Sequence, residues 1–217
     1  MSVLQNPIVG RMRQKIGGVV MTTWKGINVM KGKPLTVANP KTDPQLMRRS
    51  ALRQIVAIAR AIVAAIDLGF KEQAVHMSAF NAFTGYNLRN AFDYSAPPTA
   101  TIAPEDILVA QGTISPTDIT SAIYDISDAQ LNLVWPIATN NPGQSANDNA
   151  VIALWDPIQD KFYATNTEGT RADGASSLTL AVMGFAPAAT TRIYFFFYNL
   201  TNRKSSDSRT ALCTTQA

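Results

Sequence analysis

The stretch TDPQLMRRSALRQIVAIARAIVAAIDLG, residues 42–69, decides the helical part of the fold. Thr42 is followed three residues later by Gln45, with Pro44 between them, which is the capping-box pattern of a helix N-terminus. Beyond Gln45 the apolar residues recur at i, i+3, i+4 and i+7, and Gly69 occupies the place of a C′ glycine. We predict one helix of about 26 residues, roughly 39 Å long, capped by Thr42 and Gln45.

The same predicted helix carries a basic stripe. At 100° per residue, Arg49, Arg53 and Arg60 fall within about 40° of one another, and Arg48 adjoins them in the sequence. Arginines along one line of a helix favour contact with a polyanion or with an acidic neighbour. Residues 71–92 predict a second helix, or two short ones split near Gly85, whose aromatic side chains pack against the first helix.

Residues 1–41 predict a basic arm rather than a compact unit, since glycine interrupts them too often for a core. Two short apolar runs, Val19–Trp24 and Ile27–Met30, flank Lys25-Gly26, which predicts a two-residue β-hairpin turn. Because an isolated two-stranded ribbon is marginal in water, we expect the arm to lie against a neighbour. The lysines placed to contact that neighbour or a polyanion are Lys25, Lys31 and Lys33.

The C-terminal part of the chain predicts a β-sandwich. Pro97-Pro98 begins a linker, and short apolar strands separated by turn residues follow it, a spacing typical of antiparallel sandwiches. The fold class is therefore α+β, with an arm at 1–41, a helical segment at 42–95 and an immunoglobulin-like or jelly-roll sandwich at 96–217. The predicted strands are Ile107–Ile114, Ala122–Ile126, Leu131–Trp135, Ala150–Trp155, Phe162–Thr165, Leu178–Met183, Ile193–Asn199 and Thr210–Thr214.

Two features of these strands concern the core. Leu131–Trp135 alternates apolar and polar residues, so the Trp135 ring is predicted to fill the space between the sheets. Tyr194–Tyr198, with the sequence YFFFY, is aromatic at every position. That pattern predicts a central strand that is covered on both faces, or a strand with one face buried against another subunit.

The net charge of +4 conceals a division of charge between the two halves of the 217-residue chain. Residues 1–95 carry thirteen Lys and Arg against four Asp and Glu, or +9, whereas residues 96–217 carry six against eleven, or −5. Such asymmetry favours an anionic partner for the N-terminal half, or the acidic half of another copy.

Few residues offer catalytic or metal-binding chemistry. The chain has one Cys (Cys213) and one His (His76), which excludes a disulfide framework and thiolate or multi-histidine metal sites. The sequence contains no run of about 18 apolar residues, so we expect no membrane span. The N-terminus lacks the apolar core of a secretory signal. We expect no enzyme activity, no catalytic residues, no cofactor and no metal.

The order of motifs resembles a domain-of-unknown-function family of Bacteroidota and their phages. The resemblance rests on the Gly-rich hairpin at Gly17–Lys33, on the pattern NPxTxxQxxxR from Asn39 to Arg49, and on the sandwich that follows. Two further parts of it are Tyr86–Ala91 (YNLRNA) and Ser205–Ser208 (SSDS). The NPxTxxQxxxR segment also resembles small virion proteins of phages. The resemblance implies a structural role in a phage particle, with no catalytic residues to carry over.

The sequence therefore predicts a virion structural protein, made in the host cytoplasm, that assembles with itself and with other virion proteins. It would be a capsid, collar or tail component joined through its arm and helix. One alternative is a nucleic-acid-associated protein whose basic half binds phosphates nonspecifically. A second is a surface-binding module that uses the sandwich loops at 139–149 and 168–174. The candidate assembly or polyanion contacts are Lys25, Lys31, Lys33, Arg48, Arg49, Arg53 and Arg60.

Overall fold

A computed structural model describes residues 2–4, 15–34, 36, 39–137, 141–156, 158, 161–165, 169–179, 187–188 and 190–216. The helices are α1 Asp43–Ala61, α2 Val63–Gly69 and α3 Ala79–Asn90, with 3-10 turns at Pro104–Asp106 and Arg171–Asp173. The strands are β1 Ser2–Leu4, β2 Lys15–Ile16, β3 Val19–Trp24, β4 Ile27–Gly32, β5 Phe92–Asp93, β6 Thr101–Ile102, β7 Ser121–Asp125, β8 Gln130–Val134, β9 Asn149–Asp156, β10 Lys161–Thr165, β11 Ala175–Thr179, β12 Arg192–Asn199, β13 Lys204–Ser205, β14 Arg209–Leu212 and β15 Thr214–Gln216.

The arm contains the predicted hairpin. Strands β3 and β4 pair antiparallel, with Trp24 opposite Ile27. Lys25 and Gly26 both have positive φ, at 46° and 83°, as a type I′ turn requires. The hairpin lies within a four-stranded sheet of order β1-β4-β3-β2. The prediction of the turn at Lys25-Gly26 is therefore confirmed.

The long helix differs from the prediction in three ways. It is interrupted at Ile62, whose ψ of 25° leaves the helical range, where two β-branched residues, Ile62 and Val63, are adjacent. Thr42 is at the N-cap, but no side-chain hydrogen bond caps the helix, so the predicted capping box with Gln45 is absent. Gly69 is the last residue of α2 rather than a C′ glycine.

Gly69 has a packing role instead of a capping role. A Cβ atom at this position would lie 2.6 Å from both the Ala110 Cβ and the Val109 carbonyl oxygen. Glycine therefore lets α2 approach the segment that leads into the sandwich more closely than any other residue would.

The predicted second helix is shorter than the sequence indicated. Residues 71–78 are irregular, and His76 has a φ of 57°, which a helix does not accommodate. The helix α3 begins only at Ala79, where the Ser78 hydroxyl accepts a hydrogen bond of 3.1 Å from the Asn81 amide. Phe92 lies beyond it, in β5. The N-cap at Ser78 was the local signal that the sequence interpretation missed.

A central sheet of order β10-β9-β12-β13, with β14 also paired to β12, forms the middle layer of the C-terminal part. Every residue of β12 from Ile193 to Asn199 is buried. Tyr194, Phe196 and Tyr198 belong to the core shared with the helices. Ile193, Phe195 and Phe197 belong to the core of the sandwich. This confirms the prediction of a central strand covered on both faces.

A second sheet, of order β11-β8-β7-β15, packs on the other face of the central sheet. Trp135 is 2% exposed and lies between the sheets, with its ring centroid 5.1 Å from Phe195 and 5.9 Å from Phe197. The last strand, β15, leaves the central sheet and pairs parallel with β7. The chain is thus α+β, with three stacked layers: helices, central sheet and outer sheet.

The predicted strand Ile107–Ile114 does not form. Three of its backbone amides donate to side-chain acceptors: Leu108 to Asn87 Oδ1, Val109 to Ser208 Oγ and Gly112 to Asp207 Oδ1. The Ile114 amide donates to the Ser205 carbonyl oxygen of β13 at 3.0 Å, where an isolated bridge forms rather than a strand. The apolar residues are nevertheless buried, which explains why the sequence has the composition of a strand. The predicted strand Leu178–Met183 extends beyond β11 into residues outside those that the structure describes.

Candidate assembly surface

The arm sheet carries apolar side chains on both faces, and within the described part of the chain they are half-buried or exposed. The cross-strand register places Val20, Trp24, Ile27 and Val29 on one face. On the other face are Val19, Met21 and Met30. None of the arm side chains that the structure describes is buried, and Trp24 is 55% exposed. The arm therefore presents a hydrophobic surface that lacks a core of its own.

One polar contact joins this sheet to the helical part of the chain, and a second joins the segment before α1 to that helix. Lys25, in the hairpin turn, donates a hydrogen bond from Nζ to the Met77 carbonyl oxygen. Arg49 donates one to Asn39 Oδ1, so the first and last residues of the NPxTxxQxxxR pattern contact each other. The Arg49–Asn39 contact places the segment before α1 alongside that helix. Neither contact covers the apolar faces of the arm sheet.

The predicted basic contacts are all exposed, and they divide between the arm and α1. Lys25, Lys31 and Lys33 lie in the hairpin. The stripe of Arg49, Arg53 and Arg60 lies on the exposed side of α1, away from the core. The buried residues of that helix are Met47, Ala51, Ile55, Ile58 and Ala59.

No ion pair with a carboxylate forms at any of the seven predicted contacts within the described ranges. Arg48 differs from the others, since its guanidinium lies 4.1 Å from the ring centroid of Tyr94 in a cation–π contact. The structure thus brings Arg48 onto an aromatic ring and leaves the charges of the remaining six available to an anionic surface.

A buried ion pair that the sequence did not reveal fastens one end of the sandwich. Arg171 and Asp148 are both fully buried, with Nε 3.2 Å from Oδ2. The Asp148 carboxylate also accepts from the Ser145 amide at 2.8 Å and from Asn199 Nδ2 at 2.7 Å. Arg171 donates to Thr117 Oγ1 at 2.6 Å. Desolvation lowers the pKa of Arg171, and its interaction with Asp148 opposes that shift.

This network ties together the two loops that the surface-binding alternative required. Asp148 lies in the segment 141–149 and Arg171 in the segment 169–174. Glycosidase-type or metal chemistry would require carboxylates that face a cleft, whereas Asp148 is enclosed and engaged. Among the described residues, no group of three or more His, Cys, Asp or Glu is arranged to hold a metal ion. No helix in the described part of the chain is long and apolar enough to cross a membrane.

The junction between α2 and the sandwich is a second feature that the sequence analysis did not predict. Glu72 accepts hydrogen bonds from the Ser205 amide at 2.9 Å and the Thr113 hydroxyl at 3.0 Å. The Ser205 hydroxyl donates to the Gly69 carbonyl at 3.0 Å. The SSDS segment is therefore a structural fastening. Asn87, in the YNLRNA segment, has the same role, because its amide donates to the carbonyls of Phe83 and Leu108.

Cys213 is 2% exposed and packs in the sandwich core. Burial raises the pKa of its thiol from 9.0 to about 11. Because the thiolate is the reactive form, we expect Cys213 to resist alkylation in the folded chain from pH 7 to pH 9 and to react after unfolding. A Thr215→Cys variant, with an exposed thiol two residues away, should be alkylated once per folded chain, as mass spectrometry would show. Rapid labelling of Cys213 in the folded protein would contradict its burial.

Comparison with known proteins gives a family and several remote structural similarities, of which two are described below. A family model described as "Family of unknown function (DUF6266)" matches residues 10–206. No curated protein matches the chain. The chain is similar to the FN1–FN3 domains of chicken CNTN1, with 14% identity over 56% of this chain and 37% of that chain, and a TM-score of 0.35. It is also similar to the adhesin domain of Epf from Streptococcus pyogenes, with 10% identity over 48% of this chain and 33% of that chain, and a TM-score of 0.34.

Proposed function

Since the chain belongs to this family of unknown function, which supplies no activity, we infer its function from its surface. We propose that it is a structural protein that assembles in many copies, as a capsid, collar or tail component of a phage particle. The observation that carries the proposal is the arm sheet, which is apolar on both faces and whose side chains are half-buried or exposed within the described part of the chain. A sheet of this kind becomes stable when another surface buries it. A second copy of the chain is always present at equal concentration, so we take it as the covering partner.

The charge distribution supports contact between unlike parts of two copies. The exposed stripe of Arg49, Arg53 and Arg60 belongs to the half with a charge of +9, whereas residues 96–217 carry −5. Contact between different surfaces of identical chains builds rings when it closes and filaments or lattices when it does not. This arrangement suits a component that is repeated through a particle.

We infer that the sandwich is immunoglobulin-like rather than a jelly roll. Its main pairings are β11-β8-β7 in one sheet and β10-β9-β12-β14 in the other. The chain forms the hairpin of β7 and β8 in the first sheet and then crosses to the second sheet for β9 and β10. It returns to the first sheet for β11 and crosses again to the second sheet for β12 and β14. Immunoglobulin-type sandwiches share this distribution of seven strands between sheets of three and four.

A second candidate, a protein that lies on nucleic acid, is favoured by the unpaired cations of the arm and α1. Six of the seven predicted basic contacts, all except Arg48, are exposed with neither an ion pair nor a cation–π contact among the described residues. If they bind phosphates, log K should fall by about 0.9 per phosphate contact for each log unit of salt on duplex DNA. Apolar contacts between subunits should depend far less on salt.

The test is the mass of the full chain and of an arm variant, measured by size-exclusion chromatography with light scattering. We expect the wild type to form particles far larger than 23.5 kDa and Trp24→Glu with Val29→Glu to yield monomers. Both substitutions place charge on one face of the arm sheet, where burial of an unpaired carboxylate is costly. Deletion of residues 1–41 should have the same effect.

The matched control is Leu200→Glu, which changes an exposed apolar residue, 63% accessible, outside the arm. We expect this variant to assemble normally. The 260/280 nm absorbance ratio, taken before and after nuclease at two salt concentrations, separates the two candidate functions. Particles that disperse on nuclease treatment or with added salt would favour nucleic acid as the partner. A wild type that stays monomeric would contradict assembly.

A further inference from the structure

A groove of about 430 Å³ lies between α1 and the segment that joins β6 to the 3-10 turn at Pro104–Asp106. Its apolar lining comes from Ala57, Ile58, Ile102 and Pro104. Arg53 and Trp155 also line it and supply hydrogen-bond donors. The groove therefore combines a hydrophobic surface with a positive charge, which suits a ligand that has an apolar side chain next to an anion.

Two donors of the groove, on Arg53 and Trp155, lack acceptors among the described residues, whereas the Gln54 amide, which also lines the groove, donates to the Ala100 carbonyl oxygen at 3.0 Å. Arg53 is exposed and forms no hydrogen bond or ion pair there. Trp155 is 5% exposed, and its buried indole Nε1–H has no hydrogen-bond partner. A buried donor without an acceptor costs free energy that an acceptor from outside the chain would recover. The groove is thus incomplete in a single copy.

A matching ligand is present on the surface of the chain itself, in the turn between β7 and β8. Ile126 is 58% exposed, and the exposed Asp128 carboxylate has no partner among the described residues. The turn has a fixed shape, because the Asp125 carboxylate accepts hydrogen bonds from the Ser127 amide at 2.9 Å and hydroxyl at 2.6 Å. Ala129 completes it with a φ of 52°.

Some of the other exposed acids are already engaged, and the exposed Asp43, Asp67 and Asp106 lie in helical segments rather than in a turn between strands. Asp118 pairs with Arg209 at 3.1 Å, and the Asp173 carboxylate accepts hydrogen bonds from Thr170. The turn at 126–129 combines a large exposed apolar side chain with a free carboxylate two residues away. The apolar side chain complements the apolar lining of the groove, and the carboxylate complements the charge of Arg53.

We propose that the turn at 126–129 of one copy docks in the Arg53–Trp155 groove of the next, with Ile126 against the apolar lining and Asp128 beside Arg53. This inference rests on the proposed assembly and identifies one of its contacts. The turn belongs to the outer sheet, whereas the groove belongs to the helical layer on the other side of the central sheet. The contact therefore joins unlike surfaces and propagates from copy to copy.

The experiment is a charge exchange in the full chain. We expect Arg53→Glu and Asp128→Lys each to raise the concentration needed for half-assembly by at least about tenfold, because each places like charges together in the contact. The double variant, with both changes, restores an opposite-charge pair between copies and should recover assembly. The controls are Lys71→Glu, an exposed cation outside the groove and the stripe, and Asp67→Lys, at an exposed position of α2. Both should assemble as the wild type does.

The outcomes separate this contact from the proposed function. If the wild type forms particles and the single variants do so equally well, the groove contact is wrong and assembly through the arm stands. If the wild type is monomeric, both proposals fail. If Arg53→Glu lowers the retained nucleic acid while Asp128→Lys has no effect, Arg53 serves a polyanion and the groove contact is overturned. A disulfide formed between an Arg53→Cys chain and an Asp128→Cys chain would locate the contact directly.

Discussion

Replacing Arg171 with methionine should lower the free energy of unfolding by about 3–5 kcal/mol, since it leaves a buried carboxylate without its cation. Asp148 would keep its hydrogen bonds from Ser145 and Asn199, but its charge would be enclosed and uncompensated. Methionine retains most of the packing of Arg171 against the Phe197 ring, which lies 3.8 Å from the guanidinium carbon. Urea unfolding followed by tryptophan fluorescence measures the change.

Two further variants make this prediction specific to the buried charge. Arg192→Met removes a pair with Glu105 that is partly exposed, so it should cost no more than about 1 kcal/mol. Arg171→Met combined with Asp148→Asn removes both buried charges and should be more stable than Arg171→Met alone. If Arg171→Met and Arg192→Met prove equally mild, the Arg171–Asp148 pair does not stabilise the sandwich.

Gly112→Ala should be comparably severe, at about 3 kcal/mol or more, for a steric reason. A Cβ atom at Gly112 would lie 1.9 Å from the Ser205 carbonyl oxygen and 2.4 Å from its carbonyl carbon. Ser205 cannot easily move away, because its amide donates to Glu72 and its hydroxyl donates to Gly69. The substitution therefore forces apart the junction between the helices and the sandwich.

The matched control is Gly85→Ala, at a helical glycine whose added Cβ would meet nothing within 4 Å. Alanine is favoured over glycine in a helix interior by up to about 1 kcal/mol, so this variant should be slightly more stable than the wild type. The same urea experiment compares the two. An unfolding midpoint of Gly112→Ala equal to that of the wild type would show that the junction can relax at no cost.

Both predictions concern the body of the chain, and the proposed assembly depends on that body being rigid. The junction around Ser205 fixes the helices against the sandwich, so the groove beside Arg53 and the turn at 126–129 keep a constant relative position. A contact that propagates from copy to copy needs the groove and the turn of each chain to be fixed relative to each other. Any flexibility between these two surfaces would add an entropic cost at every interface.

Local patterns in the sequence determined several elements directly. The hairpin at Lys25-Gly26 follows from a glycine, which adopts positive φ readily, in a two-residue turn between apolar runs. The alternation in Leu131–Trp135 and the unbroken aromatic run of Tyr194–Tyr198 predicted burial on one face and on two faces, and the structure shows both. Such signals are contained within a few consecutive residues, so no knowledge of distant contacts was needed to interpret them.

The tertiary structure alone decided which buried segments became strands and where the charges paired. Residues 107–114 have the composition of a strand, but Asn87, Ser208 and Asp207 satisfy their amides from distant parts of the chain. Arg171 and Asp148 are separated by more than twenty residues in the sequence and meet only when two loops converge. Hydrogen bonds and ion pairs of this kind depend on distances between remote residues, which the order of amino acids does not state and only the packing of the layers fixes.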